Sequence, residues 1–312
     1  MDFLYVTFAV SGVETWVFLP PLVAFVVSFF TSMGGVSGAF MLLPFQMSVL
    51  NYTAPSVSGT NQLFNIVAIP SGVWRYIKEK RMIWPLAWAV IVGTLPGVFL
   101  GIWIRVEYLP DPRNFKFFAG LVLMYVGLKL FQDTFRVVKQ NLSKVKDAET
   151  KTTADPKAPN SFIVTDIHFS LKKVEFSFDQ ASFSFSVPGV LMLCFIVGVI
   201  GGIYGIGGGA IVAPFLVTFF NLPVYAVAGA ALLGTFATSV VGVVTYQMLS
   251  YFYKGISVAP DWYLGVLFGI GGFCGVYLGA RCQKYLPAHK IKLILCFCVM
   301  FVAVKYILDF IK

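Results

Sequence analysis

Four long stretches of this 312-residue chain, 17–74, 84–104, 188–253 and 262–280, contain no Asp, Glu, Lys, Arg or His. Charged residues make up 12% of the whole, against roughly 25% in a soluble domain. That scarcity excludes a soluble globular fold and marks an integral membrane protein. A carboxylate-based proton or sodium relay places an acid inside the membrane, and these stretches offer none. Histidine is nearly absent as well. His168 and His289 both fall in regions expected to be aqueous, so an intramembrane enzyme would lack a buried acid–base pair. The five cysteines, Cys194, Cys274, Cys282, Cys296 and Cys298, lie in or beside apolar sequence without metal-site spacing. They read as packed free thiols, and neither a metal nor another cofactor is expected. The net charge of +9 would suggest nucleic acid for a soluble protein. Here basic residues flanking spans on the cytoplasmic side account for it, and no nucleic-acid partner is expected. Asp2 and Glu14 precede the first apolar run, where a cleaved signal would be positive.

Glycine, by contrast, is patterned. A glycine-rich run occurs twice in apolar sequence, as Gly34-Gly35-Val36-Ser37-Gly38 and Gly205-Ile206-Gly207-Gly208-Gly209, followed by Pro44-Phe45 and Pro214-Phe215. Glycine disfavours a helix by about 1 kcal/mol relative to alanine, and each proline removes a helical donor. A helix is therefore expected to break at both runs. In lipid the freed N–H and C=O groups must face protein or a watery cavity, which makes both breaks edges of a candidate binding site.

The second run is a copy of the first. A shift of 170 aligns Gly35, Gly38, Pro44, Phe45, Gly59, Gly72 and Tyr76 with Gly205, Gly208, Pro214, Phe215, Gly229, Gly242 and Tyr246. A shift of 178 then aligns Gly93, Gly97, Val98, Leu100 and Gly101 with Gly271, Gly275, Val276, Leu278 and Gly279. Apolar segments fall at about 17–50, 53–75, 84–104, 115–135, 188–220, 224–251, 262–280 and 291–311. The first and fifth exceed the roughly 20 residues of one crossing, and both contain a break. Loop charge orients them: Arg75, Lys78, Lys80 and Arg81 mark one cytoplasmic loop, and Arg281, Lys284, Lys290 and Lys292 another. Both loops share a side if the broken segments are re-entrant hairpins. The expected fold is all-α and polytopic: two homologous four-segment repeats, inverted relative to each other, each with one hairpin and three transmembrane helices. Eight plain spans with parallel repeats is the competing arrangement.

The repeats are assigned to 1–135 and 188–312, with a basic cytoplasmic insertion at 136–187. Within it, 139–160 is rich in Lys, Asp, Thr, Ala and Pro and reads as a mobile linker. Alternation from Phe162 to Val187 predicts two or three short strands. The cap they form is expected to be structural.

Few polar residues lie inside the spans. Ser58, Thr60, Asn61, Gln62 and Asn65 open the second segment, and Thr235, Thr238 and Ser239 follow the second break. The positions aligned with the first group are Ala228, Ala230, Ala231, Leu232 and Thr235, so a shared site is chemically asymmetric. An uncharged pocket of neutral donors and half-helix N-termini suits an anion. Ser37-Gly38 and Gly207-Gly208 would offer backbone N–H groups, and Arg75 could attract the anion, although topology anchoring also explains it.

These glycine motifs, with Gly97-Val98-Phe99-Leu100-Gly101 and Gly275-Val276-Tyr277-Leu278-Gly279, resemble the sulfite exporter TauE/SafE family, also called toluene sulfonate uptake permeases. The resemblance covers about 17–135 and 188–311 and leaves out the long insertion. It implies a carrier of sulfite, sulfonates or sulfoacetate-like anions. A passive anion channel, or a carrier of another organic anion, is the alternative. The protein is expected in the lipid bilayer as a multi-pass protein of a bacterial inner membrane, with a small anion as its partner. Its many small residues would permit a homo-oligomer.

Overall fold

The computed structural model describes residues 4–33, 37–80, 82–148, 164–170, 172–178, 181–220, 222, 224–282 and 288–311. Gly34, Gly35 and Val36 of the first break, and 149–160 of the expected linker, lie outside the described residues. The chain is predominantly helical, and most of its helices, though not those at Pro112–Ala148 and Ala288–Ile311, fall largely within the charge-free stretches. The first gives α1 (Leu19–Met33), α2 (Ala39–Ser48), α3 (Ser56–Ala68) and most of α4 (Pro70–Lys78). Then come α5 (Trp84–Glu107) and α6 (Pro112–Ala148). The second half contains α7 (Val187–Tyr204), α8 (Gly209–Phe220), α9 (Val224–Leu249), α10 (Trp262–Cys282) and α11 (Ala288–Ile311).

Among the described residues six helices are long and apolar enough to cross a bilayer: α5, the 112–132 part of α6, α7, α9, α10 and α11. The 53–75 segment, expected as a single crossing, is interrupted at Pro70 between α3 and α4, although Ile69 keeps helical geometry and its N–H bonds Asn65 O. Proline has no N–H and its ring crowds the carbonyl one turn back. Val240 holds the aligned position in α9, which runs unbroken. Large apolar side chains such as Trp88, Val92, Phe99, Met192, Ile196, Val244, Ile270, Phe297 and Phe301 face outward, as lipid contact requires. Trp74 and Trp84 are exposed at one end of α5, and Tyr108 is exposed at the other together with Tyr251, Trp262 and Tyr263. Aromatic side chains of this kind settle at the two membrane–water boundaries. All five cysteines are free. Cys194 and Cys296 are packed inside as expected, but Cys274 and Cys298 lie on the exposed face, where a small apolar side chain is equally at home.

The insertion is partly as expected. Strands β3 (Val164–Phe169), β4 (Lys173–Phe178) and β5 (Ala181–Ser186) form an antiparallel sheet in that order. Val174 pairs with Phe185 and Phe176 with Phe183, so one face joins the main core through Val174, Phe176 and Phe185. The mobile-linker expectation fails over its first part, because α6 continues helically to Ala148. No glycine or proline occurs from 128 to 155, so nothing interrupts the helix that α6 begins. A further hairpin was not foreseen: β1 (Tyr5–Thr7) pairs antiparallel with β2 (Glu14–Trp16).

Helices approach one another on glycine. On α5, Gly93, Gly97 and Gly101 lie against the carbonyl oxygens of Leu191, Phe195 and Val199 of α7. On α10, Gly271, Gly275 and Gly279 lie against those of Pro21, Phe25 and Phe29 of α1. Both pairs run parallel, and a methyl group at Gly97 or Gly275 would overlap a carbonyl. α3 and α4 together cross α9 antiparallel, α3 with Gly59 against Tyr246 and Gly242 against Gln62, α4 with Gly72 against Leu232 and Gly229 against Tyr76. α6 and α11 are antiparallel too, with Gly120 beside Tyr306 and Gly127 beside Met300.

Gly97→Val and Gly275→Val should each lower the thermal midpoint in detergent, by an overpacking penalty of about 1–3 kcal/mol. Gly255→Ala, where an added methyl meets nothing within 4 Å, should leave it unchanged. Equal midpoints for all three would refute the close seams.

Candidate functional site

Both glycine runs interrupt a helix. α7 closes at Tyr204 because Gly205 turns left-handed at φ 84°, its N–H bonding Gly201 O at 2.9 Å. Gly207 is also left-handed at φ 76°, and α8 begins at Gly209. A side chain at Gly207 would be strained twice over, since its Cβ would lie 3.0 Å from Ser239 Oγ and 3.1 Å from Thr238 Oγ1. On the first side α1 ends at Met33 and α2 starts at Ala39, with Gly38 as its N-cap. Ser37 Oγ accepts from Ala39 N at 3.3 Å.

Helix α3 ties the two breaks together. Ser58, Asn61 and Asn65 are spaced three and four apart and so share one face. Asn61 Nδ2 donates to Ala39 O and to Gly205 O, each at 3.0 Å, one carbonyl from either break. Asn65 Nδ2 donates to Ile206 O at 2.9 Å and, at longer range, to Ser239 Oγ at 3.4 Å. Ser37 Oγ reaches Asn65 Oδ1 at 3.5 Å, and Ser58 Oγ reaches Ile203 O and Tyr204 O at 3.4 Å. The carbonyls released where α7 ends, at Ile203 to Ile206, thus find donors inside the protein, as an apolar surrounding demands, and Asn61 ties them to Ala39 O in the first turn of α2.

The opposite wall is α9. Thr235 and Thr238 return their hydroxyl hydrogens to Ala231 O at 2.8 Å and Gly234 O at 2.7 Å. Thr238 Oγ1 also accepts from Gly208 N at 3.2 Å. Gln62 differs from every neighbour: its Oε1 and Nε2 are buried and neither has a hydrogen-bond partner. Ser58, Asn61, Gln62, Asn65, Thr238 and Ser239 have no solvent-exposed surface.

Of the residues singled out from the sequence, Ser37, Ser58, Asn61, Asn65, Gly207, Gly208, Thr235, Thr238 and Ser239 meet at the breaks, with Gln62 one turn along α3. Gly38 packs against α1 at Ser28 and Thr31. Thr60 points elsewhere, toward Tyr52 OH at 2.9 Å and Asp261 N at 2.9 Å. Arg75 is not brought in; it ends α4, paired with Glu79 at 2.8 Å.

Sequence reasoning missed several participants. Tyr204 OH donates to Phe40 O at 2.9 Å across the two breaks, and Gln46 Nε2 to Asn61 Oδ1 at 3.4 Å. Thr94 walls Gly208, whose Cβ would lie 2.7 Å from its own. A polar side chain within a charge-free stretch was the available signal for all three.

Asn61→Leu should lower the thermal midpoint, by about 2–3 kcal/mol, because two buried carbonyls lose this donor. Asn61→Asp, isosteric but without the N–H groups, should do the same, and an unshifted midpoint in both would refute the clamp.

The profile of the family described as sulfite exporter TauE/SafE matches residues 21–306. The chain is similar to the probable membrane transporter protein YunE of Bacillus subtilis (strain 168), with 21% identity over 271 residues, covering 85% of this chain and 87% of that protein. No solved structure gives a significant match. With the match running from α1 into α11 through both breaks, the chain belongs to the sulfite exporter TauE/SafE family and is a multi-pass membrane transporter.

Proposed function

We propose that the protein is a secondary carrier for small sulfur-containing anions, sulfite or organosulfonates such as sulfoacetate, working by alternating access around the two breaks in a bacterial inner membrane. Gln62 carries the reading. Buried polar side-chain atoms nearly always have a partner, yet both amide heteroatoms of Gln62 lack one. Hydrogensulfite would accept from Nε2 and donate to Oε1, and a sulfonate, unprotonated near neutral pH, would accept from Nε2 alone. Gln62 lies against Gly242 of α9, one turn along α3 from the breaks, where the starts of α2 and α8 offer a partial positive charge that favours an anion. Ser37, Gly207, Gly208 and Ser239 would complete the site from the breaks, while Asn61 and Asn65 hold its frame.

The alternating-access part rests on inverted repeats, which the exchanged contacts support. Under the shift of 170, the Gly59–Tyr246 contact maps onto Gly229–Tyr76, and Gly242–Gln62 onto Gly72–Leu232. The glycine seams of α5 on α7 and α10 on α1 map onto each other likewise. Corresponding helices, α3 with α9 and α6 with α11, run antiparallel, as repeats related by an axis in the membrane plane must. The pairs α1–α2 and α7–α8 are then hairpins with the breaks at their tips. α1, with 15 residues, reaches about 22 Å, short of a hydrocarbon core of about 30 Å.

Gln62→Leu tests the site without unfolding it, because Leu232 already fills the corresponding place against Gly72, its Cδ1 3.3 Å from a built Cβ. The variant's thermal midpoint should equal or exceed that of the unaltered protein. Stabilisation by sulfite or sulfoacetate should vanish, and uptake into proteoliposomes should fall more than tenfold. A ligand-dependent shift equal to that of the unaltered protein would refute the site, and single-channel currents in place of counterflow would refute the carrier.

A further inference from the structure

Among the described residues Arg105 is the largest fully buried side chain. It lies in the last turn of α5, at the end opposite the basic 75–81 loop. Its Nη1 donates to Leu109 O, its Nη2 to Thr53 O at 3.3 Å, and its guanidinium sits 3.6 Å from the Phe115 ring centroid. Its Nε has no partner. Among the described residues no carboxylate pairs with it; Glu107, two residues on, receives the Tyr253 hydroxyl on the exposed surface. Carbonyls and a ring face offset only part of the desolvation of a buried cation, and a counter-charge is missing.

Tyr246 of α9 packs in one cluster with Ile102 and Val106, on the same stretch of α5 as Arg105, close enough to interact with it electrostatically. The Tyr246 hydroxyl is buried without a close hydrogen bond, and Ser58 is the polar side chain nearest it. Its position follows from the antiparallel crossing of α3 and α9. Asn65 meets Ser239, then Gln62 meets Gly242, then Gly59 meets Tyr246. Three buried polar side chains therefore follow one another along a single seam, Gln62 and the Arg105 Nε without partners and Tyr246 with only Ser58 nearby, leading from the level of the breaks toward the surface at Leu109. Such groups in line, ending on a cation without a counter-charge, describe a route for an anion.

We propose that Arg105 and Tyr246 form a second anion site, a relay between the membrane face opposite the basic loops and Gln62. The ligand class is a sulfur oxyanion or a sulfonate head, which would supply the missing counter-charge, accept from Nε and from the tyrosine hydroxyl, and then pass along the seam. This site rests on the transport reading above, and its fully buried state is the closed form of that route.

The test uses the full-length protein, in detergent for sulfite binding and in proteoliposomes for sulfite flux. Tyr246→Phe removes only a hydroxyl whose nearest polar side chain is Ser58, so the ligand-free thermal midpoint should change little, by no more than about 1 kcal/mol. Its sulfite Kd should increase roughly tenfold, the worth of one hydrogen bond to a charged acceptor. Arg105→Lys keeps the charge but loses the fork and should weaken sulfite binding and flux less than Arg105→Gln does. If Arg105→Gln does not fold, Tyr246→Phe decides alone. Sulfite Kd and flux within twofold of the unaltered protein in Tyr246→Phe would overturn the relay and leave the Gln62 site standing. Absence of any sulfite-dependent stabilisation in the unaltered protein would overturn both.

Discussion

A helix interrupted inside an apolar interior releases carbonyl groups that water cannot reach, and this protein answers with side-chain amides from one helix. Asn61 spans from Ala39 O to Gly205 O, and Asn65 holds Ile206 O. Much else follows from that pairing. α3 must lie between the breaks, Gly205 must lack a side chain to let it in, and Gly207 must lack one to let the hydroxyls of α9 close the far wall. It also divides the labour among the polar residues. Both hydrogens of the Asn61 amide are spent on the frame, so recognition of a solute falls to groups that the frame leaves over.

The breaks were legible in the sequence because glycine and proline act locally: neither needs a partner to stop a helix. The strands were legible for a similar reason, since Val174, Phe176 and Phe185 alternate with Lys173, Glu175 and Ser184. The subdivision of residues 53–75 at Pro70 was equally local and was passed over in favour of segment length. What composition hid was the helical continuation of α6: lysine and aspartate suggest a solvated coil, yet both sit comfortably on a helix with no breaker in it. The site was legible as a set of residue types but not as a division of roles. Asn61, Gln62 and Asn65 look alike in a sequence, and only the third dimension separates two amides that brace carbonyls from one that braces nothing. Arg105 and Asp261 escaped because each stands just outside a charge-free stretch, where a charge ordinarily reaches water. Arg105 is instead fully buried, and Asp261 is spent on Ser11 and on capping α10 at Leu264 N, 3.1 Å away.

The contacts also bear on what could move. α1 is locked to α10 and α5 to α7 by backbone touching backbone, and such interfaces do not slide without overlap. Any rigid bodies would therefore be mixed, one containing α1, α10 and α3, the other α7, α5 and α9, with the antiparallel α3–α9 crossing as the surface between them. That crossing is also where chemical symmetry is poorest. Gln62 corresponds to Leu232 and Asn61 to Ala231, so the amides line one arm of the crossing while the other arm contributes hydroxyls.

The seating of α1 on α10 has a consequence for biosynthesis. Pro21 and its partner Gly271 are separated by 250 residues, so at about 5–20 residues per second α1 waits roughly 12–50 s in the bilayer before its groove is filled. α7 meets no such delay, because α5 has been made before it emerges. The helix translated first is among the last to be seated, and in the interval its uncovered carbonyl edge is open to whatever neighbour the translocation machinery provides.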